Sequence, residues 1–315
     1  MRPVLYVVVP CYNEQEVLPE TSKRLKAKMA ALLEAGRIDE KSRVMLVNDG
    51  SRDRTWELIE ELHAGDPLFS GVKLSRNRGH QNALLAGLMT AKEFADVTIS
   101  MDADLQDDIE AMDAFLDAFE KGSDVVYGVR SARASDTAFK RLTAEGFYKL
   151  MKALGVDIVF NHADYRLLSR RALDALSEYR EVNLFLRGMV PLVGFKSSTV
   201  SYERHERFAG ESKYPLKKML AFAFDGITSL SVKPIRLILS LGVVIFFFSL
   251  LMLLYALISK WTGHADTGWT SILASIWMIG GIQLLCLGVI GEYIGKIYSE
   301  TKQRPRYIIE KILNE

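Results

Sequence analysis

Only two cysteines occur in 315 residues, Cys11 and Cys286, one after a short apolar run and one deep inside a long one. Contexts so different do not suggest a disulfide, and a reducing compartment agrees with that. No sign of charge predominates: 40 Lys and Arg stand against 39 Asp and Glu, a formal net charge of +1. A nucleic-acid partner therefore has no global electrostatic footprint to recognise. The chain has no G-x-G-x-x-G after its first apolar run and no G-x-x-x-x-G-K-[ST] anywhere. Those absences weigh against dinucleotide and P-loop sites. There is no H-E-x-x-H and no Cys-rich ligand set for zinc, no internal repeat and no low-complexity tract. No apolar stretch of signal-peptide type opens the chain, because Leu5–Val9 is too short and Asn13-Glu14 follows closely.

Apolar residues make up 49% of the chain and are unevenly spread. Leu237–Ser259 and Thr267–Gly291 carry no charge, and each exceeds the roughly 20 residues a helix needs to cross a bilayer. Tyr255, Trp261 and Trp269 sit near their ends, where interfacial anchors belong. The connector Lys260–Asp266 carries a single Lys. By contrast Lys213, Lys217, Lys218, Lys233 and Arg236 precede the first span, and Lys296, Lys302, Arg304, Arg306 and Lys311 follow the second. The positive-inside rule then puts both termini and the whole globular part in the cytoplasm, on a multi-pass cell-membrane protein. The expected organisation is a globular domain over 1–214, a juxtamembrane amphipathic segment over 215–234, two membrane helices over 235–295 and a tail over 296–315.

The globular part alternates strand and helix patterns. Val4–Val9, Arg43–Val47, Val72–Leu74, Val97–Met101 and Asp124–Tyr127 read as strands. Glu14–Glu34, Asp53–Ala64 (capped by Ser51 or Asp53), Asn82–Lys92 and Ile109–Glu120 read as helices. Such alternation predicts an α/β fold, a mainly parallel sheet with helices on both faces and ligands at the carboxyl ends of its strands. Between Ser131 and Leu154 a basic amphipathic pattern fits a helix lying on a membrane surface. The tail carries Tyr307-Ile308-Ile309, which fits a short strand paired with a neighbour.

Each strand end is followed by polar residues: Pro10-Cys11-Tyr12-Asn13-Glu14, Asn48–Thr55, Ser75–Asn82, and Ile99–Asp108 with the sequence ISMDADLQDD. Asp102 and Asp104 are two apart at a strand terminus, so they project to one side while Ala103 faces away. Two hard oxygen donors at that place suit Mg²⁺ or Mn²⁺ holding a diphosphate. Tyr12 suits the flank of a base, and Glu14 and Asp49 suit ribose hydroxyls or a base N–H. His80 and His162 read as polar contacts.

PCYNE, VNDGSRDRT, NRGHQNALLAGL and MDADLQDD, in this order, resemble the family-2 glycosyltransferases of GT-A fold. VYGVR (Val126–Arg130), FKR (Phe139–Arg141), ADYRLLSRR (Ala163–Arg171) and ERFAGESKY (Glu206–Tyr214), followed by two spans, are similar to the polyprenyl-phosphate branch of that family. That branch includes bactoprenol glucosyltransferases and is related to dolichol-phosphate mannose synthase. The resemblance implies metal-dependent transfer of a hexose from a nucleotide-sugar to polyprenyl phosphate, with inversion at the anomeric carbon and UDP favoured over GDP. It implies that Pro10, Tyr12, Glu14, Asp49 and Asp102 hold the nucleotide, and that Asp102, Asp104 and Gln106 line the metal pocket. Asp164 falls where relatives have a carboxylate implicated in catalysis, alongside Asp104. Arg130, Arg207, Ser212 and Lys213 would grip the acceptor phosphate. Relatives often form homo-oligomers.

An acceptor phosphate is largely deprotonated at neutral pH, since its second pKa is near ~6. A general base is then less needed, and Asp164 is expected to orient Arg, Lys or sugar groups at least as much as it removes a proton. Two other readings stand beside this one. A processive polysaccharide synthase would carry Q-x-x-R-W and more spans, and this chain has no Arg-Trp pair. A membrane scaffold binding nucleotide-sugar or lipid without turnover would tolerate loss of Asp102, Asp104 or Asp164, all of which are intact.

Overall fold

The computed structural model describes residues 2–130, 162–203, 227–228, 231–261 and 268–314. The basic amphipathic segment after Ser131, and Arg207, Ser212 and Lys213, lie outside these residues.

Four parallel strands make the centre: β1 (Leu5–Cys11), β2 (Arg43–Asn48), β3 (Phe69–Leu74) and β4 (Val97–Ser100). β1 is buried along its whole length, as a strand covered on both faces must be. Beyond them lie β5 (Val125–Arg130), β6 (His162–Ser169), β7 (Ser197–Tyr202) and β8 (Ile309–Leu313). The order across the sheet is β7-β5-β6-β4-β1-β2-β3-β8. β6 runs antiparallel to both β4 and β5, and β8 runs antiparallel to β3, so the sheet is mixed around a parallel centre. The tail expected to pair with a neighbouring chain pairs instead with β3 of its own chain, where Leu313 meets Gly71 and Lys73 and Lys311 bridge to Glu310 and Glu60.

Helices α1 (Leu18–Glu34), α2 (Thr55–Gly65) and α4 (Met112–Glu120, entered through a 3₁₀ turn at Ile109–Ala111) accompany the sheet. So do α3 (His80–Ala91), α5 (Arg170–Ser177) and α6 (Leu186–Leu192). Two apolar cores result. One joins Leu25, Met29, Ile59 and Phe115 to Val7, Leu46 and Ile99. The other joins Leu84, Leu88, Leu173 and Met189 to Val8, Val47 and Val72. The first helix begins four residues later than its amphipathic pattern suggested, because Glu14 to Val17 form a turn that feeds Pro19 into its first turn. Asp53 prepares the second helix, accepting from the Thr55 amide and hydroxyl, while Ser51 accepts from the Asn13 amide.

Beyond the sheet, α7 (Lys233–Trp261) and α8 (Trp269–Thr301) have 29 and 33 residues. Large apolar side chains such as Leu239, Phe247, Leu251, Ile276 and Leu284 are exposed along them. The segment Met278–Thr301 is by length and composition able to cross a membrane.

α3 lies close on the sheet at Gly87, where an added Cβ would stand 2.5 Å from methyls of both Val8 and Val47. Valine side chains are stiff, so the helix must lift to admit one. Gly87→Ala is expected to cost about 1–3 kcal/mol and to lower the thermal midpoint by several degrees. An unchanged midpoint would mean that α3 shifts freely.

Candidate active site

The first three loops at the carboxyl edge are laced together by polar contacts. Asn13 takes a left-handed conformation (φ 55°), and its side chain accepts from the Arg52 amide at 2.9 Å. The Glu14 amide donates to Thr55 Oγ1 at 2.9 Å. Gly50 turns with φ 62° directly under the third loop, and a Cβ there would stand 2.4 Å from the Asn77 backbone nitrogen. Only glycine permits that approach.

Asp49 is buried, with Oδ1 accepting from the Arg78 amide at 2.7 Å and Oδ2 from the Gly79 amide at 2.9 Å. Burial pushes its carboxyl up, and the two amides and His80 oppose that without cancelling it. Pro10 is buried in β1, Tyr12 is exposed and Glu14 is half-buried at the same edge. The four residues expected to hold a nucleoside thus share one edge.

After β4 the chain presents Asp102, buries Ala103 and presents Asp104. Leu105 then takes φ 57°, rare for a bulky residue, and the Gln106 amide donates to Asp104 Oδ1 at 3.2 Å. That reversal carries Asp107 inward, where it is 2% exposed. Its Oδ1 accepts from the Tyr202 hydroxyl at 2.5 Å and from Arg130 Nη2 at 3.4 Å, while Oδ2 has no hydrogen-bond partner among the described residues. Arg130 and Tyr202 are register partners on β5 and β7, and Arg130 Nε donates to the Tyr202 hydroxyl. Burial and the Asp107 charge raise the Tyr202 hydroxyl. Burial works against the Arg130 charge, but Asp107 and Tyr202 hold that guanidinium firmly protonated.

Asp164 arrives from β6. Ser100, the last residue of β4, pairs with Arg166 of β6, so Asp102 and Asp164 both lie just past that pair at the same end of the sheet. Ser100 Oγ donates to the Asp164 carbonyl at 2.6 Å. Arg187, at the start of α6, grips the Asp164 carboxylate with Nε at 3.2 Å and Nη2 at 3.0 Å. Fully buried Arg166 donates to the same carboxylate. His80 opens α3 with Nε2 at 3.5 Å from Asp102 Oδ1 and 3.6 Å from Asp164 Oδ2.

Burial alone would raise Asp164, yet Arg187, His80 and Arg166 together hold its carboxyl well below the usual range. Asp102 behaves oppositely: burial, then Asp107, Asp164 and Asp104, outweigh His80 and push it to about 6. Burial opposes a charge on His80, but Asp164 and Asp102 raise it to about 9 despite Arg187.

Sequence reasoning placed Asp102, Asp104 and Asp164 among the site residues, and the fold brings Asp102 and Asp164 together. It read His80 only as a polar contact and singled out none of Asp107, Arg166, Arg187 and Tyr202. Arg166 lay inside a motif already quoted, and two-residue spacing on a strand was the signal that put it on the side of Asp164. Arg187 had no local signal.

A parallel-centred mixed sheet with carboxylates gathered at the carboxyl end of β4 defines a GT-A type glycosyltransferase fold. The chain belongs to glycosyl transferase family 2, whose pattern matches residues 6–177. A second pattern, the GtrB C-terminal hairpin, matches residues 233–297. The chain is 53% identical over 309 residues to the uncharacterized glycosyltransferase YkoT of Bacillus subtilis (strain 168), covering 98% of this chain and 92% of that one. It is 39% identical to a prophage bactoprenol glucosyl transferase homolog of Escherichia coli (strain K12), covering 97% of this chain and 98% of that one. It is 38% identical to the SfII prophage-derived bactoprenol glucosyl transferase of Shigella flexneri, covering 97% of each. Among solved structures, mannosyltransferase PcManGT from Pyrobaculum calidifontis in complex with GDP-Man and Mn²⁺ is 15% identical with a TM-score of 0.45, covering 97% of this chain and 89% of that one.

A histidine raised from its ordinary value of 6.5 to about 9 stabilises the fold fully below the unfolded value, and that contribution is lost as pH rises through the folded one. In metal-free protein held in EDTA, His80→Gln should therefore lower the thermal midpoint at pH 6. The gap to wild type should close by about pH 9.5. A gap that is constant across this range would mean that His80 acts by packing and not by charge.

Proposed function

We propose that this protein transfers a hexose from a nucleotide-sugar, by preference UDP-linked, to polyprenyl phosphate at the cytoplasmic membrane face. The observation that carries the reading is Asp164, kept ionised by Arg166, Arg187 and His80, with the same His80 imidazole also reaching Asp102 past the end of β4. The identity to bactoprenol glucosyl transferases over nearly the whole chain supports the lipid acceptor. The exposed apolar side chains of α7 and α8 support a membrane hairpin, with the globular domain over 1–214 and the tail from 296 on its cytoplasmic side.

In this reading Pro10, Tyr12, Glu14 and Asp49 receive the nucleoside. Asp102, Asp104 and Gln106 are the groups that would hold Mg²⁺ or Mn²⁺. The residues fit such an ion: the donors are hard oxygens, and Asp102 is raised by burial and by its neighbouring carboxylates, a crowding that a cation relieves. When bound, the ion offsets charge on the leaving diphosphate.

An oxygen of the acceptor phosphate attacks C1 of the sugar from the face opposite the diphosphate. The new C1–O bond forms as the bond to the nucleoside diphosphate breaks, so configuration inverts and no proton need be removed. Arg130 with Arg207, Ser212 and Lys213 would hold the acceptor dianion near the donor, where like charge repels it. Asp164 is a poor base, because Arg187, His80 and Arg166 hold its carboxyl well below the usual range and it takes up a proton weakly. Its work is orientation, keeping Arg187 and His80 directed at the reacting groups.

The reaction is tested by transfer of radiolabelled sugar to undecaprenyl phosphate, using purified protein with Mg²⁺ or Mn²⁺ across UDP- and GDP-sugars. Label should enter lipid from one donor and be lost with EDTA and in Asp104→Ala. No lipid product from any donor despite tight nucleotide binding would favour the non-catalytic scaffold. Asp164→Asn should lower kcat about 100-fold or more, the order expected for lost positioning, with an unchanged pH–rate shape. Selective loss of the low-pH limb would make Asp164 the base.

A further inference from the structure

On the α3 side of the third loop is a cavity of about 280 Å³ that the transfer reaction does not use. Arg78 and Asn82 form one wall, and Ser299, Lys302, Arg304 and Arg306, at and just beyond the end of α8, line the rest. Four cationic side chains thus face one small space, and no acidic residue lines it among the described residues. Glu300, next in sequence to Ser299, is already engaged by the amides of Val182 and Asn183 and by the Asn183 side chain.

Arg78 Nε, in this wall, is a buried donor with no hydrogen-bond partner among the described residues; Asn82 Oδ1, also unpartnered, is an acceptor and would need a hydroxyl or water instead of a phosphate oxygen. A buried donor without an acceptor is costly and asks for a ligand. Two of the other cations have fixed contacts: Arg306 Nη1 donates to the Tyr179 carbonyl at 3.0 Å, and Lys302 Nζ sits 4.0 Å over the Tyr298 ring.

We propose that this cavity binds a phosphate-bearing anion, and that its occupant is the headgroup of an anionic phospholipid. Several Arg and Lys donors around one pocket suit phosphate oxygens, and the volume suits a headgroup better than a whole cofactor. The position favours a lipid source. The uncharged stretch of α8 ends at Gly291, roughly 12 Å along the helix before Ser299, so a spanning α8 brings this pocket out beside the headgroups, with Lys296 and Lys302 on the way. That last step rests on the membrane reading above; the charge and the buried Arg78 Nε do not.

The test is calorimetric titration of the full-length protein in non-ionic detergent with dihexanoyl-phosphatidylglycerol, dihexanoyl-phosphatidylcholine and inorganic phosphate. Phosphatidylglycerol should bind saturably. The exposed pair Lys302→Gln/Arg304→Gln should weaken it about tenfold or more, equivalent to about 1.4 kcal/mol. A distant control pair, Lys23→Gln/Lys41→Gln, should change it less than about twofold, since screened surface charges act weakly. Phosphatidylglycerol binding that inorganic phosphate does not displace assigns the headgroup. Displacement by inorganic phosphate keeps the anion site and overturns the lipid source. Equal binding of phosphatidylcholine, equal weakening by the control pair, or no saturable binding overturns the site. Calorimetry needs no sugar transfer, so an inactive transferase with intact lipid binding would sink only the proposed reaction.

Discussion

The Asp164 carboxylate is the point on which the rest of the site depends. It shares the His80 imidazole with Asp102, with Asp104 and Asp107 nearby, and such crowding of negative charge cannot persist in a partly buried setting without cations. Three elements supply them. Arg166 comes from the same strand two residues on, Arg187 from the start of α6 and His80 from the start of α3. Only the Arg166–Asp164 pair is buried on both sides, and breaking such a pair commonly costs about 3–5 kcal/mol; Arg187 and His80, about a third exposed, tie α6 and α3 to β6 more weakly.

The antiparallel insertion of β6 between β4 and β5 makes that junction possible. Because β6 runs antiparallel to β4, its amino end lies at the carboxyl edge, and Asp164, near that end, is brought there with Arg166 two residues on. The hairpin helices connect to the same place by contact. Glu300 near the end of α8 holds the amides of Val182 and Asn183, and the chain from there leads directly into α6 and Arg187. After α8 the tail returns to add β8 to the sheet, so the end of the hairpin is tied to the globular domain at Glu300 and again at β8.

Local chemistry explains which parts of this were readable beforehand. The parallel strands announced themselves as short β-branched apolar runs, and the loops as polar clusters after each run, because burial and backbone turning act within a few residues. Asp102 and Asp104 were legible for the same reason. The strand direction of β6 was not, since antiparallel and parallel neighbours bury similar faces here. Nor was the partner of the tail: Tyr307-Ile308-Ile309 says that a strand forms, and only chain geometry says which edge it meets.

The amino-acid sequence by itself determined the alternating α/β pattern, the family, the acidic loop and the two long apolar stretches, since each is written in neighbouring residues. Tertiary structure decided that the Asp164 carboxylate faces His80 and Arg187, that Asp107 turns inward to Tyr202 and Arg130, and that Arg78 meets the end of α8. Those contacts join residues from 23 to 95 positions apart within the active site. Their energies depend on burial and charge that exist only once the sheet has closed around them.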